Sequence, residues 1–271
     1  MSSFHPYTIK HLQLSNLGDY PSGEGNYYLV IWFEKIPLGH VWLNSNENSQ
    51  VNLNRLVADA IIPTLQYYIE RKDPVNQEWL LLAEAGRFND LDSLLKSLHI
   101  GLYEIKNNES LSVIICTRNR PDSLKICLEK LFNSIDKDFE LIVVDNAPSD
   151  GRTAVLVKAY PQIKYILEPR KGLDFARNTG VKAATGTIIA FTDDDVSVDE
   201  YWTRFMKQSF ENRLTMAVTG LVLPSVLNTE SQVHFEQYWS FNKGFLPLTF
   251  DHLFFNHHLD KGVPVWNIGA G

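Results

Sequence analysis

Short apolar runs alternate with amphipathic helical patterns from Leu111 onward, and this order restricts the chain to few folds. Four runs are short enough for buried strands, namely 111–116, 139–144, 163–167 and 187–190. Between the first two, apolar residues recur at helical spacing: Leu124, Cys127, Leu128, Leu131 and Ile135. Such alternation is typical of a parallel, doubly wound sheet. The sequence therefore predicts an α/β domain.

Local signals mark where the helices of this domain begin and end. Pro121 suits the first position of one helix, and Ser149 with Asp150 can cap the next helix, which runs to about Tyr160. A third helix, 173–184, has small residues for close packing on the sheet, such as Gly180, and Gly186 is its predicted C-cap. Cys127 falls on a buried stripe and is interpreted as a core residue.

Polar side chains follow each predicted strand at the point where the strand ends. They are Thr117, Arg118 and Arg120, then Asp145 and Asn146, then Arg170, Lys171 and Gly172, and finally Asp193, Asp194 and Asp195. The carboxyl ends of parallel strands share one edge, so these groups are expected to line one cleft. Each residue alone also fits a solvated or turn position. Together they suit a nucleoside diphosphate better than an uncharged ligand.

The run Asp193–Asp195 places three carboxylates side by side. Carboxylates this close repel one another unless positive charge lies between them. A hard divalent cation, Mg²⁺ or Mn²⁺, is the simplest such charge. The alternative is an acidic turn that caps the next helix.

The third helix carries a polar face as well, with Asp174, Arg177 and Asn178 at helical spacing. Arg177 could reach a phosphate or pair with Asp174. The sequence contains no Walker motif and no Gly-x-Gly-x-x-Gly, which disfavours P-loop NTPases and dinucleotide enzymes.

Residues 1–105 form a predicted small α+β domain of unknown role, and residues 106–271 form the second domain. Strands are predicted at 7–14, 27–33 and 40–43, the last two joined as a hairpin through 36–39. One helix begins at Leu53 and is kinked or ended by Pro63, and another covers 91–98 with Asn89 or Asp90 as its cap.

Charge and composition limit the partners and the cellular compartment expected for this protein. A formal net charge of −7 argues against a nucleic-acid partner held by phosphate contacts. Two cysteines fit a reducing compartment. No apolar run approaches the ~18 residues of a membrane span, and the start has no signal-peptide pattern. A cytoplasmic location is expected, with peripheral association at the inner membrane face as an alternative.

Four motifs together resemble family 2 glycosyltransferases. They are Cys116-Thr-Arg-Asn-Arg-Pro121, Val144-Asp-Asn146, Lys171-Gly-Leu-Asp-Phe-Ala-Arg-Asn-Thr-Gly180 and Phe191-Thr-Asp-Asp-Asp195. The resemblance implies a GT-A fold over about 111–271. It places Thr117, Arg118, Arg120, Asp145, Arg177, Asp193 and Asp194 at the nucleotide sugar. It assigns the metal, Mn²⁺ or Mg²⁺, to Asp195 and Asp193 of an Asp-x-Asp motif.

The region after residue 215 is expected to contain a strand at 216–223 and acceptor-side loops at 235–258. A packed loop and a membrane-contacting patch are the alternatives. A metal site at His252, His257 and His258 is disfavoured, since no second motif supports it. Residues 266–271 resemble the loop before the family's acceptor-site helix. The general base is therefore expected beyond Gly271, in a chain truncated before it, and Glu236, Asp251 and Asp260 are acidic but unmatched.

The resemblance implies metal-dependent, inverting transfer of a sugar from a UDP- or dTDP-sugar to the hydroxyl of a glycan or lipid-linked acceptor, as in polysaccharide biosynthesis. A sugar nucleotidyltransferase is the rival enzyme, although 117–121 lacks the glycine-rich loop of that class. A nucleotide-sugar binding module without turnover is the rival that is not an enzyme.

Overall fold

The computed structural model describes residues 4–19, 25–44, 53–101 and 109–251. Contacts divide them into two compact units, one within 1–103 and 219–270 and the other within 104–218. The first unit takes in the described residues after Thr219 because they pack on its sheet. The domain limits 1–105 and 106–271 stay a prediction.

The second unit is built on four strands: β4 (Leu111–Thr117), β5 (Glu140–Asn146), β6 (Ile163–Glu168) and β7 (Ile188–Asp193). All pair in parallel, in the order β6-β5-β4-β7. The chain adds β5 and β6 on one side of β4 and then places β7 on the other side. This order confirms the predicted doubly wound α/β sheet.

Helices cover both faces of this sheet. They are α4 (Pro121–Phe132), α5 (Arg152–Val157), α6 (Leu173–Ala183) and α7 (Trp202–Ser209). The core shared with α4 contains Val113 and Ile115, whereas the core shared with α6 contains Ile114 and Val144. This alternation follows from the two-residue period of a strand.

Several predicted helix boundaries in this unit were wrong. Helix α4 ends at Phe132, so Ile135 lies outside it and is exposed. Helix α5 ends at Val157 rather than Tyr160, and its N-cap is Gly151. The C-cap of α6 is Ala184, not Gly186. The backbone N–H of Gly186 instead donates to Ser112 Oγ at 2.8 Å.

The first unit contains β1 (Tyr7–Gln13), β2 (Asn26–Phe33) and β3 (Ile36–Leu43). β1 pairs with β2 in parallel, and β2 and β3 form the predicted antiparallel hairpin. The residues predicted to link the hairpin, 36–39, instead belong to β3. The turn comes earlier, where Glu34 adopts a positive φ of 49°.

One face of this sheet packs against three helices, α1 (Leu53–Glu70), α2 (Glu78–Glu84) and α3 (Phe88–Ser97). Pro63 does not end α1, since Ile61, Leu65 and Ile69 remain buried on both sides of it. The cap predicted for α3 was also wrong, because its N-cap is Arg87.

The other face of the sheet packs against a later part of the chain. Tyr28 and Val30 share a buried cluster with Leu227 and Val233, and the backbone N–H of Tyr7 donates to the carbonyl of Leu227 at 3.0 Å. Val233 lies on α8 (Glu230–Tyr238), which begins with a capping box between Thr229 and Gln232. Residues 216–223 form no strand, so that prediction was wrong.

No helix in the ranges given above is both long and apolar enough to cross a membrane.

Candidate active site

The carboxyl ends of β4, β5, β6 and β7 meet at one edge, as the parallel register requires. Thr117 pairs with Asp145 across β4 and β5, and Cys116 pairs with Asp193 across β4 and β7. The pleat assigns Thr117 and Asp145 to the side of the sheet covered by α4, and Cys116 and Asp193 to the side covered by α6. The predicted strand-end residues are thus brought together in two rows.

Asp194 is directed into the protein. Its carboxylate is 3 % exposed and accepts hydrogen bonds from Thr117 Oγ1 at 2.6 Å and Arg120 Nη1 at 2.8 Å. Burial raises the pKa of Asp194, although the hydroxyl and the guanidinium oppose that shift. Arg120 Nη2 also contacts Asp195 Oδ2 at 2.6 Å. Arg120 therefore supplies positive charge between these two carboxylates.

Two carboxylates of the run could contribute metal ligands, although one oxygen of Asp195 is already paired with Arg120. Asp193 and Asp195 are exposed at the sheet edge. Across 4–19, 25–44, 53–101 and 109–251, the structure contains no group of three or more His, Cys, Asp or Glu side chains suited to a metal ion. Mg²⁺ commonly takes only one or two carboxylates and completes its shell with water and phosphate oxygens. The donor set therefore fits a cation bound together with a diphosphate.

Asp145 is fully buried, yet one of its oxygens lacks a hydrogen bond. Oδ2 accepts from Tyr165 Oη at 2.9 Å, whereas Oδ1 finds no partner among the described residues. Burial raises the pKa of Asp145, the tyrosine hydroxyl opposes the shift, and nearby Asp150 adds to it. Burial, followed by this hydrogen bond, raises the pKa of Tyr165 to about 12. An unsatisfied buried acceptor is costly, so a ligand N–H donor would be stabilising here.

The loops after β4 and β5 are tied to each other. Arg118 Nε donates to the carbonyl of Ala147 at 3.2 Å, and Asn119 Oδ1 accepts from the backbone N–H of Ser149 at 2.8 Å. Asn119 and Ala147 both adopt positive φ angles. These contacts fix the course of the loop that carries Arg118 and Arg120.

Arg177 lies on α6 and is exposed. Its Nη1 is 3.9 Å from Asp174 Oδ1, a loose pair between two solvated side chains. Its charge also acts on Cys116, lowering the pKa of that thiol, although burial dominates and raises the value to about 11. Arg177 therefore lies on the α6 side of the same edge.

Sequence reasoning missed Glu168 and Tyr165 as parts of this site. Glu168 is the last residue of β6 and holds Arg170 in a two-pronged ion pair. The spacing of an acidic and a basic residue directly after an apolar strand was the available signal. Tyr165 gave no signal, because an aromatic residue inside a strand is ordinary core.

Three acidic residues were left unmatched by the motifs: Glu236, Asp251 and Asp260. Glu236 lies in the first unit, where burial raises its pKa and Tyr28 and Ser240 donate to it. It lines an apolar cavity of about 290 Å³ with Phe235 and Phe241. Asp251 is exposed. Asp260, the three histidines after residue 251 and the loop 266–271 lie outside the described residues.

Comparisons with known proteins agree on one family. The model of "Glycosyl transferase family 2" matches residues 112–260. The uncharacterized glycosyltransferase YibD of Escherichia coli is 27% identical over 117 residues, 42% of this chain and 34% of that protein. EpsJ of Bacillus subtilis, also an uncharacterized glycosyltransferase, is 30% identical over 115 residues, 41% of this chain and 33% of that protein. The match thus spans about a third of these relatives.

Two solved structures are similar at low identity. S. aureus TarS 1-349 in complex with UDP-GlcNAc is 22% identical, with a TM-score of 0.35 over 42% of this chain and 37% of that chain. The mannosyltransferase PcManGT from Pyrobaculum calidifontis, in complex with GDP-Man and Mn²⁺, is 20% identical, with a TM-score of 0.36 over 49% of this chain and 42% of that chain.

The family match covers more than half of the chain and includes every strand-end motif described above. With the parallel sheet, it confirms the predicted α/β fold of the GT-A type. The chain belongs to glycosyltransferase family 2.

Proposed function

We propose that this protein transfers a sugar from a nucleoside-diphosphate sugar to an acceptor hydroxyl, with inversion. The observation that carries the proposal is the buried Asp145, whose Oδ1 has no hydrogen-bond partner among the described residues at the edge where the family's motifs meet. A uracil or thymine base presents an imide N–H, the kind of donor that this oxygen lacks. UDP- and dTDP-sugars are therefore the proposed donors.

We assign each residue of the sheet edge a separate role in binding the donor. Asp145 and Tyr165 hold the base, and Arg177 faces the diphosphate from α6. Asp193 and Asp195 would hold Mg²⁺ or Mn²⁺, which neutralises the departing diphosphate when bound. Thr117 and Arg120 keep Asp194 and Asp195 in place through their hydrogen bonds. The acceptor, a glycan or a lipid-linked sugar, would give its hydroxyl proton to a carboxylate that acts as general base.

Calorimetry of nucleotide binding tests the donor. We expect UDP to bind at least about 10-fold more tightly than CDP, because cytosine lacks the imide N–H and an unpaired buried acceptor costs about 1–3 kcal/mol. Mn²⁺ should strengthen UDP binding. Equal affinity for UDP and CDP would contradict the role of Asp145.

Two variants separate the base contact from the metal contact. Asp195→Asn should weaken UDP binding mainly when Mn²⁺ is present, whereas Asp145→Asn should weaken it with or without Mn²⁺. If both variants respond alike to Mn²⁺, the separate roles are wrong. Product formation from UDP-sugars then distinguishes a transferase from a protein that binds the donor without turnover.

A further inference from the structure

The carboxylate of Glu168 is the most densely bonded group at the sheet edge. It is 3 % exposed and ends β6. Oε1 accepts from the backbone N–H of Arg170 at 2.9 Å and from its Nε at 2.8 Å. Oε2 accepts from Arg170 Nη2 at 2.7 Å and from Thr179 Oγ1 at 2.5 Å. The side-chain hydrogen bonding of Arg170, followed by the hydrogen bonds from Thr179 and from the Arg170 backbone, holds the pKa of Glu168 far below its usual range.

The partners of Glu168 belong to two different segments. Arg170 lies in the connection between β6 and α6, and Thr179 lies on α6. Asn146, at the end of β5, holds the same connection from the neighbouring strand: Nδ2 donates to the carbonyl of Arg170 at 2.7 Å, and Oδ1 accepts from the N–H of Gly172 at 3.0 Å. Gly172 has φ 147°, a conformation that suits glycine.

The guanidinium of Arg170 makes its contacts within the protein. Its guanidinium is engaged on Glu168 and lies 4.6 Å from the centre of the Phe175 ring. Such a bidentate pair is geometrically specific. Arg177 is the guanidinium that α6 leaves exposed, two positions before Thr179. The hydrogen bond from Thr179 ties α6, the helix that carries Arg177, to the end of β6.

We propose that Glu168 is a positioning residue for the diphosphate side of the donor site, because it locks the β6–α6 connection and the helix that carries Arg177. This inference rests on the proposed function. It separates two halves of donor recognition, since Asp145 and Tyr165 hydrogen-bond to each other and Glu168 takes no part in that contact. Loss of Glu168 should therefore weaken contacts to phosphate and spare contacts to the base.

The test compares UDP with uridine, which has the base and ribose but no phosphate. In Glu168→Gln, we expect UDP to bind about 10-fold more weakly, because charge-assisted hydrogen bonds are lost, while uridine affinity stays within about twofold. Glu129→Gln is the matched control. It removes an acid whose exposed partner, Lys125, lies 3.9 Å away on α4, and it should change neither affinity.

Thr179→Val is the second variant, in case Glu168→Gln does not fold. It removes one hydrogen bond and keeps the side-chain shape, and it should weaken UDP binding by a smaller factor without affecting uridine. An equal loss for both ligands would show a merely structural role and overturn the inference, as would unchanged UDP affinity in a folded variant. If the unmodified protein binds neither UDP nor uridine, the proposed function itself fails, and the inference fails with it.

Discussion

Two buried carboxylates at one sheet edge have opposite electrostatic environments. Glu168 accepts four hydrogen bonds, which lower its pKa, whereas Asp145 accepts one, and burial raises its pKa. A lowered pKa means that Glu168 stabilises the fold at neutral pH and that this stability is lost as pH falls. A raised pKa means the reverse for Asp145, whose ionised form destabilises the fold above that pKa.

Asp145→Asn should therefore stabilise the protein at pH 7 while weakening UDP binding. The change removes a buried charge, and a gain of about 1 kcal/mol corresponds to a rise in melting temperature of roughly 2–4 °C. The gain should shrink as pH falls, because the carboxyl of the unmodified protein then becomes neutral too. Melting curves at pH 7 and pH 5 measure it.

Asp59→Asn is the control for this prediction, since the Asp59 side chain is 67% exposed on α1 and its loss should leave the melting temperature unchanged at both pH values. A lower melting temperature for Asp145→Asn at pH 7 would show that the charged form is satisfied in the fold.

The sequence predicted which residues gather at the edge but not where each one is directed. Strand period and parallel pairing can be read from local patterns, so Thr117, Asp145 and Asp193 were expected to be neighbours. The inward position of Asp194 depends on Thr117 and Arg120, which lie 77 and 74 residues earlier. Such distant partners are not readable from a run of three aspartates.

At the scale of elements, the helix α6 approaches the sheet through a glycine. A methyl group built on Gly180 would lie 2.5 Å from Cγ2 of Ile114, in the buried core between α6 and the sheet. Small residues were predicted to allow this approach, and the packing confirms it. The contact also explains why α6 can bring Arg177 to the edge.

Gly180→Ala should destabilise the protein by about 1–3 kcal/mol, because the added methyl overpacks this core. Gly151→Ala is its matched control: nothing lies within 4 Å of the added methyl. Urea unfolding followed by circular dichroism compares the two variants. Equal midpoints for both would show that α6 can shift away from the sheet without cost.

Elements outside the four-stranded sheet and its helices were harder to predict. Residues 216–223 have an apolar content that favours a strand, but Met216 and Leu221 are exposed and no neighbouring strand pairs with them. Helices α2 and α8 were missed, since each gives few turns of periodic pattern and neither lies between two predicted strands. Tertiary packing, rather than local propensity, determines these segments.

At the scale of the whole molecule, the later part of the chain completes the core of the first unit. Leu227 is buried against Tyr28 and Val30, and its carbonyl accepts from Tyr7. The unit is therefore discontinuous in sequence. Leu227 and Val233, which lie within the family match, pack in one core with Tyr28 and Val30 of β2.

Leu227→Asp should destabilise the first unit by at least about 2 kcal/mol, because it buries a charge in an apolar cluster. Amide hydrogen exchange should accelerate in β2 and remain slow in β4 and β5, and UDP affinity should be retained. Leu248→Asp, at a side chain in the first unit that is 55% exposed, is the control. Faster exchange in β5 would show that the two units unfold together.

The strand order also has a consequence for synthesis. A chain growing from its amino terminus can pair β4 with β5, and β5 with β6, at an early stage. β7 reaches its place beside β4 only after the three crossover helices α4, α5 and α6. Thr117 and Arg120 meet Asp194 only at that step. The edge where the carboxyl ends of the strands meet is therefore incomplete in a nascent chain until β7 has emerged from the ribosome. A nucleotide that contacts β5 and the end of β7 together would oppose separation of β7 from the sheet, so the donor itself would protect the strand that joins last.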